Sequence, residues 1–255
     1  MYINSISESR SKTFNQCRLK YKYRYINRLR EDEGVKKDAM SFGSYIHRIF
    51  ELGHDKSSLA DLQIIAQDER KNYHITKAYE KKIDVCLKNF LRLNSSLYKH
   101  LAAEIEYSIK VNEDKDISFI GIIDRVIEGK DGKILILDYK TSRKEMTKFQ
   151  LYQDRQLQGY VYAISQMYNK PISDIMAGHY YPQTDNLVTV QFNSMQIRSY
   201  VKNRVDEVWK IRKLKAHEFP AQMNEYCKWC EYKDLCPKMS DPMLIEERVA
   251  CRDKL

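Results

Sequence analysis

Two carboxylates and a lysine stand out because their spacing can bring them together. Asp124 lies in a Gly-Ile-Ile-Asp-Arg segment, and Asp138 and Lys140 lie two residues apart in Leu-Asp-Tyr-Lys-Thr. Asp131-Gly132, a dipeptide typical of hairpin turns, separates the two segments. Counting outward from this turn places Asp124 opposite Asp138, and strand alternation places Asp138 and Lys140 on one face. The sequence therefore predicts that the three groups converge.

Such a group is suited to phosphodiester hydrolysis. Carboxylates bind hard divalent cations such as Mg²⁺ or Mn²⁺, which polarise a phosphate and lower the pKa of a bound water. A nearby lysine can orient or deprotonate that water and stabilise negative charge. Asp138 ends an otherwise apolar strand, where an unpaired charge is costly, so we expect something to bind there. The alternative is an Asp–Lys ion pair at a strand end without chemistry, and these residues alone do not separate the two.

The elements that position these groups change character near residue 104. The first hundred residues are predicted to be mostly helical, with Ser7 or Ser9 as an N-cap and further helices at Phe42 to Leu52 and Leu59 to Leu93. Alternating or β-branched patterns then predict three strands. These strands are Glu106 to Val111, Ile117 to Ile127 and Ile134 to Asp138.

A βαβ unit follows the predicted hairpin. A helix from about Lys148 to Tyr168 precedes a strand at Ile175 to Tyr181, which implies a parallel strand pair. Leu187 to Phe192 is predicted to pair antiparallel, and Ser194 to cap a last helix that ends near Lys215. The fold class is therefore α/β with a mixed sheet flanked by helices.

One domain is expected to span residues 1–255. Its predicted parts are a helical N-terminal part (1–100), a catalytic α/β core (101–218), a cysteine region (219–240) and a tail (241–255).

The bulk composition favours a polyanionic partner. Lys plus Arg number 44 and Asp plus Glu 35, which gives a net charge of +9. This excess suits nucleic acid, although a basic protein that binds none has the same balance. The polar N-terminus is no secretory signal and no apolar run is long enough for a membrane helix, so an intracellular, cytoplasmic location is expected and a membrane partner is not.

Clustered cysteines near the C-terminus predict a second metal site. The six cysteines are Cys17, Cys86, Cys227, Cys230, Cys236 and Cys251. In a reducing compartment disulfides are not expected, so Cys227-x₂-Cys230-x₅-Cys236 indicates metal ligation. Three ligands need a fourth, and the sequence alone does not choose among the other cysteines and nearby histidines.

These motifs together resemble the RecB-type branch of the PD-(D/E)xK nucleases. Gly121-x-x-Asp124 and Asp138-Tyr-Lys140-Thr carry the resemblance, and Gly43-x-x-x-His47 and Gln156-x-x-x-Tyr160 match further motifs of that branch, in order. The resemblance extends from residue 5 to residue 237. It implies a restriction-endonuclease-like fold and a metal-dependent DNA nuclease.

The resemblance also implies individual roles. Lys140 is the catalytic lysine, and Gln156 and Tyr160 orient the active site or contact DNA. A further carboxylate is expected from the preceding strand, where Glu106 fits best and Glu104 second. The implied metal ligands are His47, Asp124, Asp138 and the carbonyl of Tyr139.

A subgroup of this branch, which includes the AddB nuclease and the CRISPR-associated adaptation nucleases, carries a [4Fe–4S] cluster. One ligand precedes the core and three follow it, so the resemblance implies that Cys17 joins Cys227, Cys230 and Cys236. Arg18 stands where proline is common, and zinc remains the alternative. The expected role is structural, since the crosslink would join distant parts of the chain. Cys86, in a predicted helix, is expected to be buried.

DNA contacts are predicted in two segments. Tyr21 and Arg24 belong to a stretch where basic residues alternate with tyrosines, which can contact phosphates and stack unpaired bases, although inward-packed tyrosines fit equally well. Arg143 and Lys144 follow the catalytic strand and are expected to contact the cleaved strand.

The predicted function is that of an exonuclease on single-stranded DNA or DNA ends. Recombination and repair, phage DNA metabolism or CRISPR adaptation would be its setting. A separate helicase is a possible partner, because the chain has no Walker A motif. The alternative is a nuclease-like protein that binds DNA or a partner without cutting.

Overall fold

The computed structural model describes residues 3–32, 38–96, 99–111, 114, 116–241, 243 and 245–251. The chain forms two compact units. The first, unit 1, comprises residues 1–36, 116–118 and 204–255, and the second, unit 2, comprises residues 37–115 and 119–203.

The strands form one six-stranded mixed sheet, as predicted for an α/β fold. They are β1 (Ser5–Ile6), β2 (Lys99–Lys110), β3 (Ser118–Glu128), β4 (Ile134–Tyr139), β5 (Ile175–Tyr181) and β6 (Asn186–Val190). Strands β3, β4, β5 and β6 are consecutive neighbours, and β1 and β2 both pair with β3.

The predicted hairpin is present. Strands β3 and β4 are antiparallel, and the register that pairs Arg125 with Leu137 places Asp124 opposite Asp138. Gly132 adopts a φ of +76° in the turn, a conformation that glycine reaches without strain. The turn thus fixes the register that brings the two aspartates together.

The predicted βαβ unit is also present, but its crossover helix is broken. Strands β4 and β5 are parallel, with Asp138 beside His179. The predicted single helix is two helices, α6 (Lys148–Leu151) and α7 (Arg155–Met167). The break occurs because the Asp154 carboxylate caps α7 and accepts hydrogen bonds from the backbone N–H groups of Gln156 (2.8 Å) and Leu157 (3.1 Å).

Helices of the N-terminal part of unit 2 pack on the hairpin and β5. They are α3 (Asp38–Leu52), α4 (Leu59–Glu69) and α5 (Glu80–Ser96). Their buried faces form one apolar cluster with Leu137, Tyr139 and Tyr180. Cys86 is fully buried in this cluster, which confirms its prediction.

Several predicted boundaries were wrong. Strand β2 begins at Lys99, seven residues before the prediction, and the last long helix, α8 (Ser194–Lys213), ends two residues early. Asn193, and not Ser194, caps α8. Its carboxamide oxygen accepts from the Gln196 N–H (2.9 Å), while the Gln196 side chain accepts from the Asn193 N–H (2.8 Å).

Unit 1 joins the two ends of the chain. It contains α1 (Glu8–Gln16), α2 (Arg18–Tyr21), a π-helical segment (Lys22–Ile26), three short 3₁₀ turns between residues 216 and 235, and α9 (Ile245–Cys251). Its apolar core includes Phe14, Tyr21, Ile211 and Phe219. None of the described helices is long and apolar enough to cross a membrane.

A buried ion pair also stabilises unit 1. The Arg204 guanidinium lies 2.6 Å from the Glu207 carboxylate and is only 5% exposed. Ser11, from α1, donates its hydroxyl to the same carboxylate (2.9 Å). The pair therefore links the N-terminal helix to the C-terminal half of α8.

Candidate active site

Three potential metal ligands converge in unit 2. His47 comes from α3, Glu104 from β2 and Asp124 from β3, and their ligand atoms all lie within 4.8 Å of one another. His47 Nδ1 is 3.4 Å from Asp124 Oδ1 and 4.0 Å from Glu104 Oε1. Two carboxylates and an imidazole at this spacing fit a divalent cation such as Mg²⁺ or Mn²⁺.

The backbone of Tyr139 orients two of these ligands. Its N–H donates to Asp124 Oδ2 (2.6 Å), and its carbonyl accepts from His47 Nε2 (2.8 Å). Because a carbonyl only accepts, the Nε2 atom carries a proton and Nδ1 faces the carboxylates. The Tyr139 ring is buried against Phe50 and Phe90, so the strand that supplies both contacts is firmly held.

The motif glycine allows α3 to approach this strand. A Cβ atom at Gly43 would lie 3.3 Å from the Thr141 hydroxyl, just after β4. This is tighter than an ordinary contact, so the Thr141 side chain would have to shift by a few tenths of an ångström to accept a larger residue at position 43. Gly43 thus lies close to the end of β4, and His47 lies one helical turn further along α3.

The site concentrates negative charge. Burial raises the pKa of Glu104 to about 7, and the charge of Asp124 adds to the effect. Burial lowers the pKa of His47, but the charge and hydrogen bond of Asp124 outweigh it and raise that pKa to about 9. A bound cation would relieve the repulsion between the two carboxylates.

Asp138 and Lys140 form a close ion pair beside these ligands. Lys140 Nζ lies 2.5 Å from Asp138 Oδ2, and Asp138 is 2% exposed. Burial lowers the pKa of Lys140, but the charge of Asp138 outweighs it and raises that pKa. Burial raises the pKa of Asp138, Lys140 opposes this, and Asp124 adds to it. Asp138 is thus paired with Lys140, while Glu104 belongs to the ligand group with His47 and Asp124.

Gln156 and Tyr160 extend this arrangement. Lys140 Nζ donates to Gln156 Oε1 (3.2 Å), and Gln156 Nε2 donates to the Tyr160 hydroxyl (2.6 Å). Tyr160 is buried, and burial raises its pKa well above the ordinary value. The amide of Gln156 therefore has partners on both sides and connects α7 to Lys140.

The choice of Glu106 over Glu104 was wrong. Glu106 is exposed to solvent, whereas Glu104 lies within the ligand group. Glu104 adopts a φ of +48° within β2, so the backbone leaves the extended conformation at this residue. Regular alternation would place Glu104 and Glu106 on one face of β2, and it does not hold through such an interruption.

Two neighbours of Asp138 were missed in the sequence. His179 is fully buried on β5, and its Nε2 lies 3.7 Å from Asp138 Oδ2 and 3.4 Å from Asp154 Oδ2. Burial raises the pKa of Asp154, but the nearby His179 imidazole and the hydrogen bond from the Leu157 N–H outweigh it, and the net pKa is lowered. Aligning the two predicted parallel strands places His179 beside Asp138, and that signal was available.

The four predicted cluster cysteines line one cavity in unit 1. These are Cys17, Cys227, Cys230 and Cys236. Backbone N–H groups point to two of the sulfur atoms, from Asn224 to Cys227 Sγ (3.2 Å) and from Gln222 to Cys17 Sγ (3.5 Å). Among the described residues, these cysteines are not close enough together to form a single-ion site like that of His47.

The predicted DNA-contact residues differ in exposure. The Tyr21 ring is 1% exposed and packs edge-on against Phe14, which corrects its predicted use as a stacking surface. Arg24 is paired with Glu31 at 2.8 Å. Arg143 and Lys144 are exposed just after β4.

Sequence comparison identifies the family. The PD-(D/E)XK nuclease superfamily matches residues 5–237, which is most of the chain. The chain therefore belongs to this superfamily. The matched span contains every residue of the site described above.

Individual relatives are more distant. A subunit of the ATP-dependent helicase/deoxyribonuclease of Streptococcus mutans serotype c is 26% identical over 71% of this chain and 19% of the relative. The protein of the same name from Streptococcus uberis is 27% identical over 63% of this chain and 16% of the relative. The chain thus spans less than a fifth of the length of these relatives.

The chain is similar to a solved structure titled "Crystal structure of SSO0001", with a TM-score of 0.42 and 14% sequence identity. The match covers 92% of this chain and 87% of that one.

Proposed function

We propose that the chain is a metal-dependent deoxyribonuclease that hydrolyses phosphodiester bonds in single-stranded DNA or at DNA ends, as an exonuclease. One observation carries the proposal. His47, Glu104 and Asp124 converge as a ligand group, with the Asp138–Lys140 ion pair on the strand that pairs with that of Asp124. Membership of the nuclease superfamily supports the same conclusion.

The ligand group would hold Mg²⁺ or Mn²⁺. His47, Glu104 and Asp124 supply donors that fit such a cation, and Asp138 and the Tyr139 carbonyl are proposed as further donors. When bound, the cation supplies Lewis-acid polarisation of the phosphate and lowers the pKa of a water molecule. The Tyr139 backbone holds the His47 and Asp124 side chains in place before substrate arrives.

Lys140 would act on the phosphate and the attacking water. Its ammonium carries positive charge next to the ligand group and can stabilise the negative charge that develops on the phosphate oxygens. Asp138 and Gln156 both contact Nζ, and Tyr160 holds Gln156 in turn. Three side chains therefore fix the direction in which this ammonium points.

DNA would reach the site past the end of β4. Arg143 and Lys144 are exposed there, three and four residues after Lys140. Their charges suit the phosphate backbone of the cleaved strand, and the net charge of +9 suits a polyanion in general. Arg24, which is paired with Glu31, is a secondary contact in this proposal.

A separate helicase is the proposed partner, and DNA recombination or repair the proposed setting. The streptococcal relatives are named as subunits of an ATP-dependent helicase/deoxyribonuclease. This chain corresponds to a small part of them and has no Walker A motif. Phage DNA metabolism and CRISPR adaptation are other settings in which such a nuclease would act.

We also propose that the cysteine cavity holds a [4Fe–4S] cluster with a structural role, with zinc as the alternative. Four thiols line one cavity, and backbone N–H groups point to two of the sulfur atoms, a donor set that suits a cluster. Cys17 and Cys227 are about 210 residues apart in sequence. Iron analysis, together with absorbance near roughly 400 nm, would identify the cluster.

A digest of end-labelled DNA tests the main proposal. Single-stranded and duplex substrates would be incubated with Mg²⁺, with Mn²⁺ or with a chelator, using wild type, Asp138→Ala and Lys140→Ala. We expect cleavage only by wild type with a divalent cation, and the product ladder then reports polarity. Equal activity in all three proteins, or none in any, would contradict it and favour a protein that binds DNA without cutting.

A further inference from the structure

His179 occupies a position that its strand alone does not explain. It lies on β5 among buried apolar or aromatic neighbours and is itself 0% exposed. An imidazole in such a place costs free energy unless its nitrogens find partners. The parallel register sets it beside Asp138, and paired residues of neighbouring strands project to the same face.

The partners of His179 define which nitrogen carries the proton. Its Nε2 faces two carboxylates, Asp138 at 3.7 Å and Asp154 at 3.4 Å, and ionised carboxylates only accept. A proton on Nε2 suits these two acceptors. Its Nδ1 lies 3.3 Å from the Tyr181 hydroxyl, which accepts from the Met146 N–H (2.8 Å) and has its own proton left to donate to Nδ1.

Asp154 connects this imidazole to the helix that carries Gln156. One of its oxygens, Oδ1, caps α7, and the other, Oδ2, faces His179. His179 thus stands between the Asp138 carboxylate and the beginning of the helix whose Gln156 holds Lys140. The two partners of Lys140, Asp138 on β4 and Gln156 on α7, are coupled through one buried ring.

We propose that His179 is a positioning residue that fixes the Asp138 carboxylate and the N-terminus of α7 relative to each other. It touches neither DNA nor the scissile phosphate and acts through Asp138, Lys140 and Gln156. The proposal rests on the proposed nuclease function, in which Asp138 is a cation donor. Some side chains hold a metal ligand in place without binding the metal themselves. Removing such a side chain commonly weakens metal affinity by about 10- to 100-fold.

Two substitutions at this position form a matched test. His179→Gln can place an amide N–H near the position of Nε2, whereas His179→Asn can reach only the position of Nδ1 and removes the N–H that faces both carboxylates. Both variants are polar and of similar volume. Mn²⁺ binding to the DNA-free protein by calorimetry, thermal stability, and kcat and KM on single-stranded DNA would be measured for each.

We expect His179→Asn to weaken Mn²⁺ binding and lower kcat by about 10- to 100-fold, with KM for DNA changed by less than about 3-fold. His179→Gln should recover at least half of the loss on a logarithmic scale. Equal losses in the two variants, or wild-type Mn²⁺ affinity in a folded His179→Asn protein, would overturn the proposal.

A third variant covers the case in which the His179 variants do not fold. Asp154→Ser keeps an N-cap for α7 but removes the carboxylate that faces His179. It should weaken Mn²⁺ binding in the same direction, and an unchanged affinity would count against the coupling. Because calorimetry does not require cleavage, a wild type that binds Mn²⁺ without cutting DNA would refute the nuclease function alone. A wild type that binds no Mn²⁺ would refute both.

Discussion

The two compact units differ in the chemistry of their donor groups and in the kind of backbone that carries these groups. In unit 2, oxygen and imidazole donors project from a helix and neighbouring strands, and Tyr139 holds two of them through its backbone. In unit 1, four thiols line a cavity formed by a helix junction and loops with short 3₁₀ turns. Hard cations prefer the first set of donors, and iron or zinc the second.

The two kinds of support also differ in how tightly they group the donors. The ligand atoms of His47, Glu104 and Asp124 already lie within 4.8 Å of one another, because regular elements fix them. The thiols share a cavity but form no comparably tight group among the described residues. Regular elements therefore group the donors of unit 2 more tightly than the loops and short turns group the thiols of unit 1.

The largest effect should come from the strand carboxylate at the centre of unit 2. Asp124→Asn keeps the shape of the side chain but removes the charge that faces His47. We expect DNA cleavage to fall by about 10³-fold or more, roughly 4 kcal/mol of barrier, because the cation loses a charged donor. The iron content and absorbance proposed for unit 1 serve as the control and should not change. A loss of both would mean that the two sites are not independent.

A buried charge in unit 1 tests stability without touching either site. Glu207→Ala removes the carboxylate that lies 2.6 Å from the buried Arg204 guanidinium, while that of Glu8 remains 3.7 Å away. We expect the free energy of unfolding, measured by urea denaturation, to fall by about 3 kcal/mol, because Glu8 still compensates part of the buried charge. The exposed Glu246→Ala variant should stay within about 0.5 kcal/mol of wild type. Similar values for the two variants would refute a stabilising role for the buried pair.

The cysteine cavity offers a matched pair within unit 1. Cys230→Ser removes a proposed ligand, while Cys251→Ser changes an exposed thiol outside the cavity. We expect the first to lose iron and absorbance and to destabilise the protein by about 2–4 kcal/mol, as for a lost long-range crosslink. The second should resemble wild type. Wild-type iron content in Cys230→Ser would contradict the assignment of Cys230 as a ligand. Zinc instead of iron in the wild-type protein would mean that the cavity holds the alternative metal.

What could be predicted from the sequence follows the same division. Turn chemistry and strand period fixed the β3–β4 register, so Asp124 was correctly placed opposite Asp138. The same reasoning would have placed His179, had the parallel register been counted. The structure of unit 1 was harder to predict, because the conformation of a loop leaves no periodic pattern in the sequence. The resemblance named its cysteines, but only the packed core around Phe14 reveals that Tyr21 is buried.

The smallest predicted effect concerns Glu104, the carboxylate that was ranked second to Glu106 from the sequence. Glu104 and Glu106 have the same parity along β2, yet only Glu104 joins His47 and Asp124. Glu104→Gln keeps the size of the side chain and removes its charge, and we expect the concentration of Mn²⁺ for half-maximal cleavage to rise by about 10-fold. Glu106→Gln, an equal change of charge two residues away, should stay within about 2-fold, since exposed charges act weakly through solvent.

The comparison between Glu104 and Glu106 separates the effect of a residue's position from the effect of losing its charge. Both variants lose one negative charge, so a general weakening of the cation's attraction to the protein would change them equally. A larger effect of Glu104→Gln therefore requires a direct place in the ligand group. A larger effect of Glu106→Gln would mean that Glu106, and not Glu104, takes the place in the ligand group, although the backbone leaves the extended conformation at Glu104 (φ of +48°).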